Sequence, residues 1–278
     1  MSIPSRIAFL GGGNMAGALI NGLLSQGLPA DQLLVVDIHE PTRERWATQG
    51  LKTRPKPDVF LEGCDIWVLA VKPQQLHAVT QAIRPFLKPD TLVISIAAGI
   101  SLSSLSNWLG ETDQPFTNII RAMPNTPALV NQGVTGLAAG SGVNQAHQAL
   151  ATQVLESVGQ VVWVVNDAQI DAVTAVSGSG PAYVFRFLES LIAGGVEVGL
   201  SADEAKALAI ATVQGAVALA ANSQEPIHAL RENVTSKGGT TAAALDVLQS
   251  EGFMETIVKA VQAAHIRAAE LSDEFGQI

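Results

Sequence analysis

The sequence predicts an α/β fold: an N-terminal doubly wound, mostly parallel sheet followed by an all-helical C-terminal domain. Three observations lead there. Short runs of Val, Ile and Leu alternate with helical periodicity up to about Val165, which is how strands buried on both faces by crossover helices read. A glycine-rich turn joins the first such run to the first helix. After Asn166 the strand signals stop and only helical stretches follow.

The elements are predicted in order as follows. Arg6–Leu10 is a strand, Asn14–Gln26 a helix and Leu33–Asp37 a second strand. Ile66–Val71 is a strong apolar run followed by a helix started by Pro73, a residue suited to the first helical turn. Thr91–Ile96, Thr117–Ala122, Thr135–Ala139 and Gln160–Val165 are further strands. Helices are predicted over Ala168–Ser177, Pro181–Val198, Ala202–Ala221, Thr240–Gln249 and Phe253–Ser272, with Ser201 and Glu204 as a capping box. The 278 residues reach the ~250–300 at which a single core stops growing. The expected division is 1–165 for the sheet domain and 166–278 for the helical one.

Composition excludes several functions. Net charge is −9 with pI about 5.0, so the basic footprint of a nucleic-acid or anionic-membrane binder is absent. One cysteine, Cys64, leaves neither an intrachain disulfide nor a cysteine metal cluster, and no metal is expected. It suits a reducing, cytoplasmic setting. Met1 to Leu10 lacks the pattern of a signal peptide. Ala207–Ala221 is shorter than the ~20 apolar residues of a membrane span and reads as a tightly packed buried helix. Charged residues make up 15%, against roughly 25% in average domains. The deficit predicts apolar helical surface buried against a second subunit.

Leu10, Gly11, Gly12, Gly13, Asn14, Met15 and Ala16 fit the G-x-G-x-x-A turn of a Rossmann-type dinucleotide site. Gly11 permits the tight turn, Gly13 lets a pyrophosphate approach, and Ala16 lets helix and sheet pack closely. The helix start then offers free N–H groups and partial positive charge to phosphates. Asp37, at the end of the second strand, is placed for a ribose diol and favours NAD. Arg43 and Arg45 follow; either can instead meet a 2′-phosphate and favour NADP, or lie on a solvated helix face. NADPH and NADH both stay open. Ala70, Val71, Lys72 and Pro73 close the strand after Ile66 and line the same site. Ile96, Ala97 and Ala98 close the next one with residues small enough for a nicotinamide to lie near backbone. Asn125, in a Met-Pro-Asn-Thr-Pro turn, serves either the carboxamide or nearby backbone.

A nicotinamide cofactor implies hydride transfer. The usual proton donors of carbonyl reduction are missing. Tyr183 is the single tyrosine and Phe187 stands where a partner lysine belongs. The segment Ser177–Tyr183 resembles the glycine-rich helix start of β-hydroxyacid dehydrogenases, but Val184 occupies the position of their catalytic lysine. A substrate already activated at carbon, such as a protonated imine, fits better. The segment Asn233-Val234-Thr235-Ser236-Lys237-Gly238-Gly239-Thr240-Thr241 combines hydroxyls and glycines before a helix. That arrangement suits a carboxylate, with Ser236 and Thr241 able to relay a proton.

The ordered motifs GGGNMA, AVKPQ, SIAAGI, RAMPNTP, AVSGSGPAY and VTSKGGTT resemble those of the pyrroline-5-carboxylate reductase family over nearly the whole chain. The resemblance implies reduction of 1-pyrroline-5-carboxylate to L-proline and an intertwined homodimer, often assembled further, through the helical domain. It implies cofactor contacts at Leu10 to Met15, Ala70 to Pro73 and Ile96 to Ala98. Asn233, Ser236, Gly238, Gly239, Thr240 and Thr241 would surround the substrate, with Thr241 as proton donor and Asp167 at an acidic position near it. The chain departs from the family at Asp37-Ile38-His39 and Pro57, both at the adenosine end. A reductase of another cyclic imine and a non-catalytic dinucleotide-binding dimer are the competing readings.

Overall fold

The computed structural model describes residues 5–111 and 113–276. Eight strands and eleven α-helices alternate and then give way to helices alone. They are β1 (Ile7–Leu10), α1 (Asn14–Ser25), β2 (Leu33–Val36), α2 (Glu40–Ala47), β3 (Lys52–Arg54), β4 (Ile66–Leu69), α3 (Pro73–Ile83), β5 (Leu92–Ser95) and α4 (Leu102–Leu109). There follow β6 (Ile119–Met123), β7 (Gly133–Ala139), α5 (Gln145–Glu156), β8 (Gly159–Trp163) and α6 (Ala168–Val173). The rest is α7 (Gly180–Glu197), α8 (Ala202–Asn222), α9 (Ile227–Asn233), α10 (Thr240–Ser250) and α11 (Phe253–Gly276).

The strands form one sheet in the order β3-β2-β1-β4-β5-β6-β7-β8. β1 to β6 are parallel; β7 runs antiparallel to β6, and β8 runs parallel to β7. Alternate residues enter opposite layers. Ile7, Phe9, Val35 and Val68 pack under Leu19, Ile20 and Leu23 of α1 and Val154 and Leu155 of α5. Ala8, Leu10, Val36 and Leu69 face Leu76 of α3 and Leu105 and Trp108 of α4. Each such large side chain stabilises the fold by roughly 1.5–3 kcal/mol relative to exposure. β1 pairs with β2 on one side and β4 on the other, so strand order reverses there. Ligands of open α/β sheets bind in the crevice at that reversal, outside the carboxyl ends of the strands.

Three local outcomes differ from the sequence reading. β3, with the sequence Lys-Thr-Arg, was not anticipated, because an edge strand without apolar residues leaves no hydrophobic signature. The predicted helix Ala168–Ser177 changes register: α6 ends at Val173 and Thr174–Gly178 form a π-turn. α9, a seven-residue helix led by Pro226, falls in a stretch to which the sequence reading assigns no element.

By contacts the chain divides into Met1–Ser179 with Ala264–Ile278, and Gly180–Ala263. In the second unit α7 lies on α8 where Gly195 meets Ala205, a place where a Cβ on the glycine would come 2.9 Å from the alanine. Phe187 and Phe253 pack with ring centroids 6.4 Å apart. The expectation of a buried helix at Ala207–Ala221 is corrected. Ala205 and Ala209 alone are buried among the described residues of α8, while Leu208, Val217 and Leu219 are 57%, 62% and 70% exposed. By length and composition α8 is apolar enough to cross a membrane.

Candidate active site

The glycine turn sits at the strand reversal. Gly11 donates its N–H to the Val36 carbonyl at 2.8 Å, and Ala70 donates to Leu10 at 2.8 Å. Gly11 has φ +99, and a Cβ there would lie 2.8 Å from the Ala70 carbonyl oxygen. Gly12 is crowded by Thr42, Trp46 and Val35, so its lack of a side chain serves packing. Around Gly13 a Cβ would meet nothing within 4 Å. Gly13 is also the N-cap of α1, and no side chain caps that helix. Open space and unpaired first-turn N–H groups therefore coincide at Gly13, the combination that an approaching pyrophosphate needs. Ala16 is buried against the sheet.

Asp37 follows β2 and reaches the glycine turn. Its carboxylate accepts the N–H of Gly12 and the N–H of His39, each at 2.8 Å. This holds one negative charge at the end of β2. Neither arginine is simply solvated. Arg43 donates to the carbonyls of Asp37 and Ile38 at 2.9 and 2.8 Å. Arg45 donates to the Gly12 carbonyl at 2.8 Å and stacks on Trp46. Both brace the turn through backbone oxygens.

Lys72 is the exposed N-cap of α3, between Val71 and Pro73 at the carboxyl end of β4. Ile96 and Ala98 are half-buried and Ala97 is buried, directly after β5. Asn125 is committed to backbone: its amide donates to the Ser177 carbonyl at 3.1 Å and accepts from the Val134 N–H at 2.9 Å. Of its two predicted roles, the local one is present. Asp167 is likewise engaged by its neighbours. It accepts from Arg121 Nη1 at 2.8 Å and from the Leu102 N–H at 3.0 Å. It bridges β6 to the start of α4.

That segment links α9 to α10. Gly238 has φ +71, and the Ser236 hydroxyl fills the place of a Cβ at Gly239. Gly239 is the N-cap of α10; the helix has no side-chain cap and no acidic residue in its first turn. Among the described residues no partner holds the hydroxyls of Ser236, Thr240 and Thr241. The three hydroxyls and the first-turn N–H groups make a donor-rich mouth suited to a carboxylate. Asn233 donates its amide N–H to Glu225 at 2.8 Å.

Glu225 and Arg121 escaped the sequence reading. Glu225 left no signal, since its partner Asn233 lies at the far end of an unpredicted helix. Arg121 left one: a lone charge inside the apolar strand Ile-Ile-Arg-Ala-Met. It is buried and pairs with both Asp167 and Asp171, the compensation that a buried charge requires.

Comparison with known proteins places these features. Residues 167–271 match the family profile described as pyrroline-5-carboxylate reductase dimerisation. Residues 6–99 match one described as NADP oxidoreductase coenzyme F420-dependent. A pyrroline-5-carboxylate reductase of Pseudomonas aeruginosa is 45% identical over 278 residues, covering 100% of both chains. The structure of a pyrroline-5-carboxylate reductase from Coxiella burnetii superposes with a TM-score of 0.90 at 37% identity, over 96% of this chain and 98% of that one. A Plasmodium falciparum pyrroline carboxylate reductase solved with NADP bound gives a TM-score of 0.84 at 30% identity, over 98% and 100%.

Proposed function

The chain belongs to the pyrroline-5-carboxylate reductase family, and from that premise we propose that it reduces 1-pyrroline-5-carboxylate to L-proline with NADPH or NADH, the last step of proline biosynthesis. A bound reduced nicotinamide supplies the hydride. The protein supplies position and a proton. The turn Leu10–Ala16 receives the pyrophosphate on the first N–H groups of α1. Asp37 receives the adenosine ribose. Ala70, Val71, Lys72 and Pro73 line one side of the crevice, and Ile96, Ala97 and Ala98 form the floor beside the nicotinamide.

The substrate assignment rests on one observation, the donor-rich start of α10. Gly238 and Gly239 shape the turn, and Ser236, Thr240 and the first-turn N–H groups hold the carboxylate, with Asn233 beside them. Thr241 donates a proton to the ring nitrogen as the imine carbon accepts hydride, so the C=N bond becomes CH–NH. In this reading residues 1–165 serve the cofactor, and residues 166–278 serve substrate binding and dimerisation. The exposed apolar side chains of α7 and α8, including Phe185, Leu208 and Val217, are the faces a second copy covers. A cytoplasmic homodimer, or a larger assembly of dimers, follows.

The test is initial rates with pyrroline-5-carboxylate and NADH or NADPH in parallel, with the six-membered cyclic imine as a third arm. Turnover of the five-membered ring is expected. Faster turnover of the larger ring transfers the assignment to another imine, and no turnover with either cofactor overturns it. Light scattering after gel filtration reports the mass, and a monomer refutes the assembly.

A further inference from the structure

The last turns of α11 lie against the loop that follows β5. A Cβ added at Gly99 would meet Phe275 Cδ2 at 3.0 Å and Leu271 Cβ at 3.1 Å. Gly99 has φ +71, so both backbone shape and close approach require glycine there. Phe275 packs into the layer that holds Leu10, Leu69, Ala97 and Ile100. One residue further, Gly276 lies beside the Ser104 hydroxyl, with a Cβ there 3.2 Å from it. Ser272 donates to Asp171 at 3.4 Å, and Asp171 is held by Arg121. Arg121 also holds Asp167, which caps the first N–H of α4 at Leu102. The loop 96–101 is thus fixed at its far end by the acid pair and backed at its apex by the end of α11.

We infer that Leu271 and Phe275 are positioning residues for hydride transfer: they press the apex of the loop at Gly99 and so set where Ile96–Ala98 support the nicotinamide ring. The inference rests on the reading that Ile96–Ala98 touch that ring. It assigns a kinetic duty to a C-terminal segment that touches no predicted ligand contact other than the buried loop. Loss of the Phe275 ring frees the loop apex to move toward α11. The pyrophosphate and ribose contacts at Gly11–Gly13 and Asp37 stay in place, so binding survives while alignment is lost.

The experiment measures single-turnover hydride transfer and NAD(P)H dissociation constants for wild type, Phe275→Ala, Phe275→Leu and Ala98→Leu, with thermal melting alongside. Phe275→Ala is expected to slow hydride transfer about tenfold, because misplacement of around 1 Å is costly to a near-attack geometry, with less than about a twofold change in the dissociation constant. Phe275→Leu refills the space and restores most of the rate. A lowered melting temperature with an unchanged rate in Phe275→Ala overturns the inference, as does a rate loss matched by an equal loss of binding. Ala98→Leu separates the two levels. Wild-type kinetics there overturn the underlying reading of the loop. A slowed Ala98→Leu beside an unaffected Phe275→Ala overturns the anchor alone.

Discussion

Arg121 Nη2 lies 2.8 Å from Asp171 Oδ1, with the arginine side chain 3% exposed and the aspartate 12%. Its other terminal nitrogen takes Asp167 at the same distance. One buried cation therefore ties the middle of β6 to two points on one helix start. Breaking such a pair from one side leaves the other charge uncompensated, at a cost of about 3–5 kcal/mol. Arg121→Met should lower the unfolding free energy extrapolated from urea titration by that amount. Asp167→Asn should cost less, since its carboxylate is the more exposed of the two acids. An Arg121→Met variant as stable as wild type would show that the acids find solvent by local rearrangement.

Two glycines of the turn should behave differently. Gly12→Ala forces a methyl into Thr42, Trp46 and Val35, so it should lower the melting temperature. Gly13→Ala meets no protein atom within 4 Å and keeps an extended φ of −70. It should cost no more than about 1 kcal/mol in capping yet weaken NAD(P)H binding at least about tenfold by blocking the close approach of the phosphate. Calorimetry on both variants checks the contrast. Equal affinity in Gly13→Ala and wild type removes the pyrophosphate from this turn.

Removing the fixed charge at Asp37 should move cofactor choice in one direction. Asp37→Ser takes away a carboxylate beside the ribose 2′ position. The ratio of kcat/KM for NADPH over NADH should rise about tenfold, the effect of roughly 1.4 kcal/mol in relative transition-state energy. The prediction concerns the change in ratio, whichever cofactor the wild type prefers. A falling ratio would mean that Arg43, not Asp37, governs that end.

Thr241→Ala should lower kcat while leaving the NAD(P)H dissociation constant near wild type, and Thr241→Ser should recover activity through its hydroxyl. General acid catalysis contributes typically about 10²–10⁴-fold, and the loss should fall within that range. Stopped-flow rates with both variants decide this. A large loss of cofactor affinity instead would place the segment against the dinucleotide.

Cys64 is buried, and desolvation together with neighbouring Asp65 pushes its thiol up to about 11. The folded protein thus keeps the proton to a higher pH than the unfolded chain, whose thiol titrates near 8.5. Stability from this group is complete below about pH 8.5 and drains away as pH rises toward 11. Denaturant midpoints should fall across that window, and Cys64→Ala should flatten the slope. At pH 8 the thiol should react with iodoacetamide only after unfolding.

Legibility in the sequence tracked the range of the interaction. β1, β2, β4 and β5 were readable because Ile7–Leu10, Leu33–Val36, Ile66–Leu69 and Leu92–Ser95 are buried on both faces, and burial writes itself into composition. The turn Gly11–Gly13 was readable because its demands are local. Lys52–Arg54 joins the sheet through backbone bonds to β2, which no side chain records. The π-turn at Thr174–Gly178 has almost the apolar spacing of an α-helix. The pairing of Asp167 with Arg121 was not readable, because 46 residues separate them, beyond any spacing argument. α8 was correctly read as apolar, but composition does not say whose surface does the covering.

The division of the chain carries a consequence for biosynthesis. The unit built on the sheet takes its last piece from Ala264–Ile278, after Gly180–Ala263 has intervened. A ribosome releases the sheet long before the helix that backs Gly99. The nascent first domain therefore waits, with its Phe275 seat open to water, until the intervening residues and α11 have emerged. Closing that long insertion costs chain entropy only logarithmically, so the delay is one of order of synthesis rather than of energy. Chains that stall or are clipped within α11 should leave a folded sheet with an exposed apolar notch, the kind of surface that chaperones hold and proteases find.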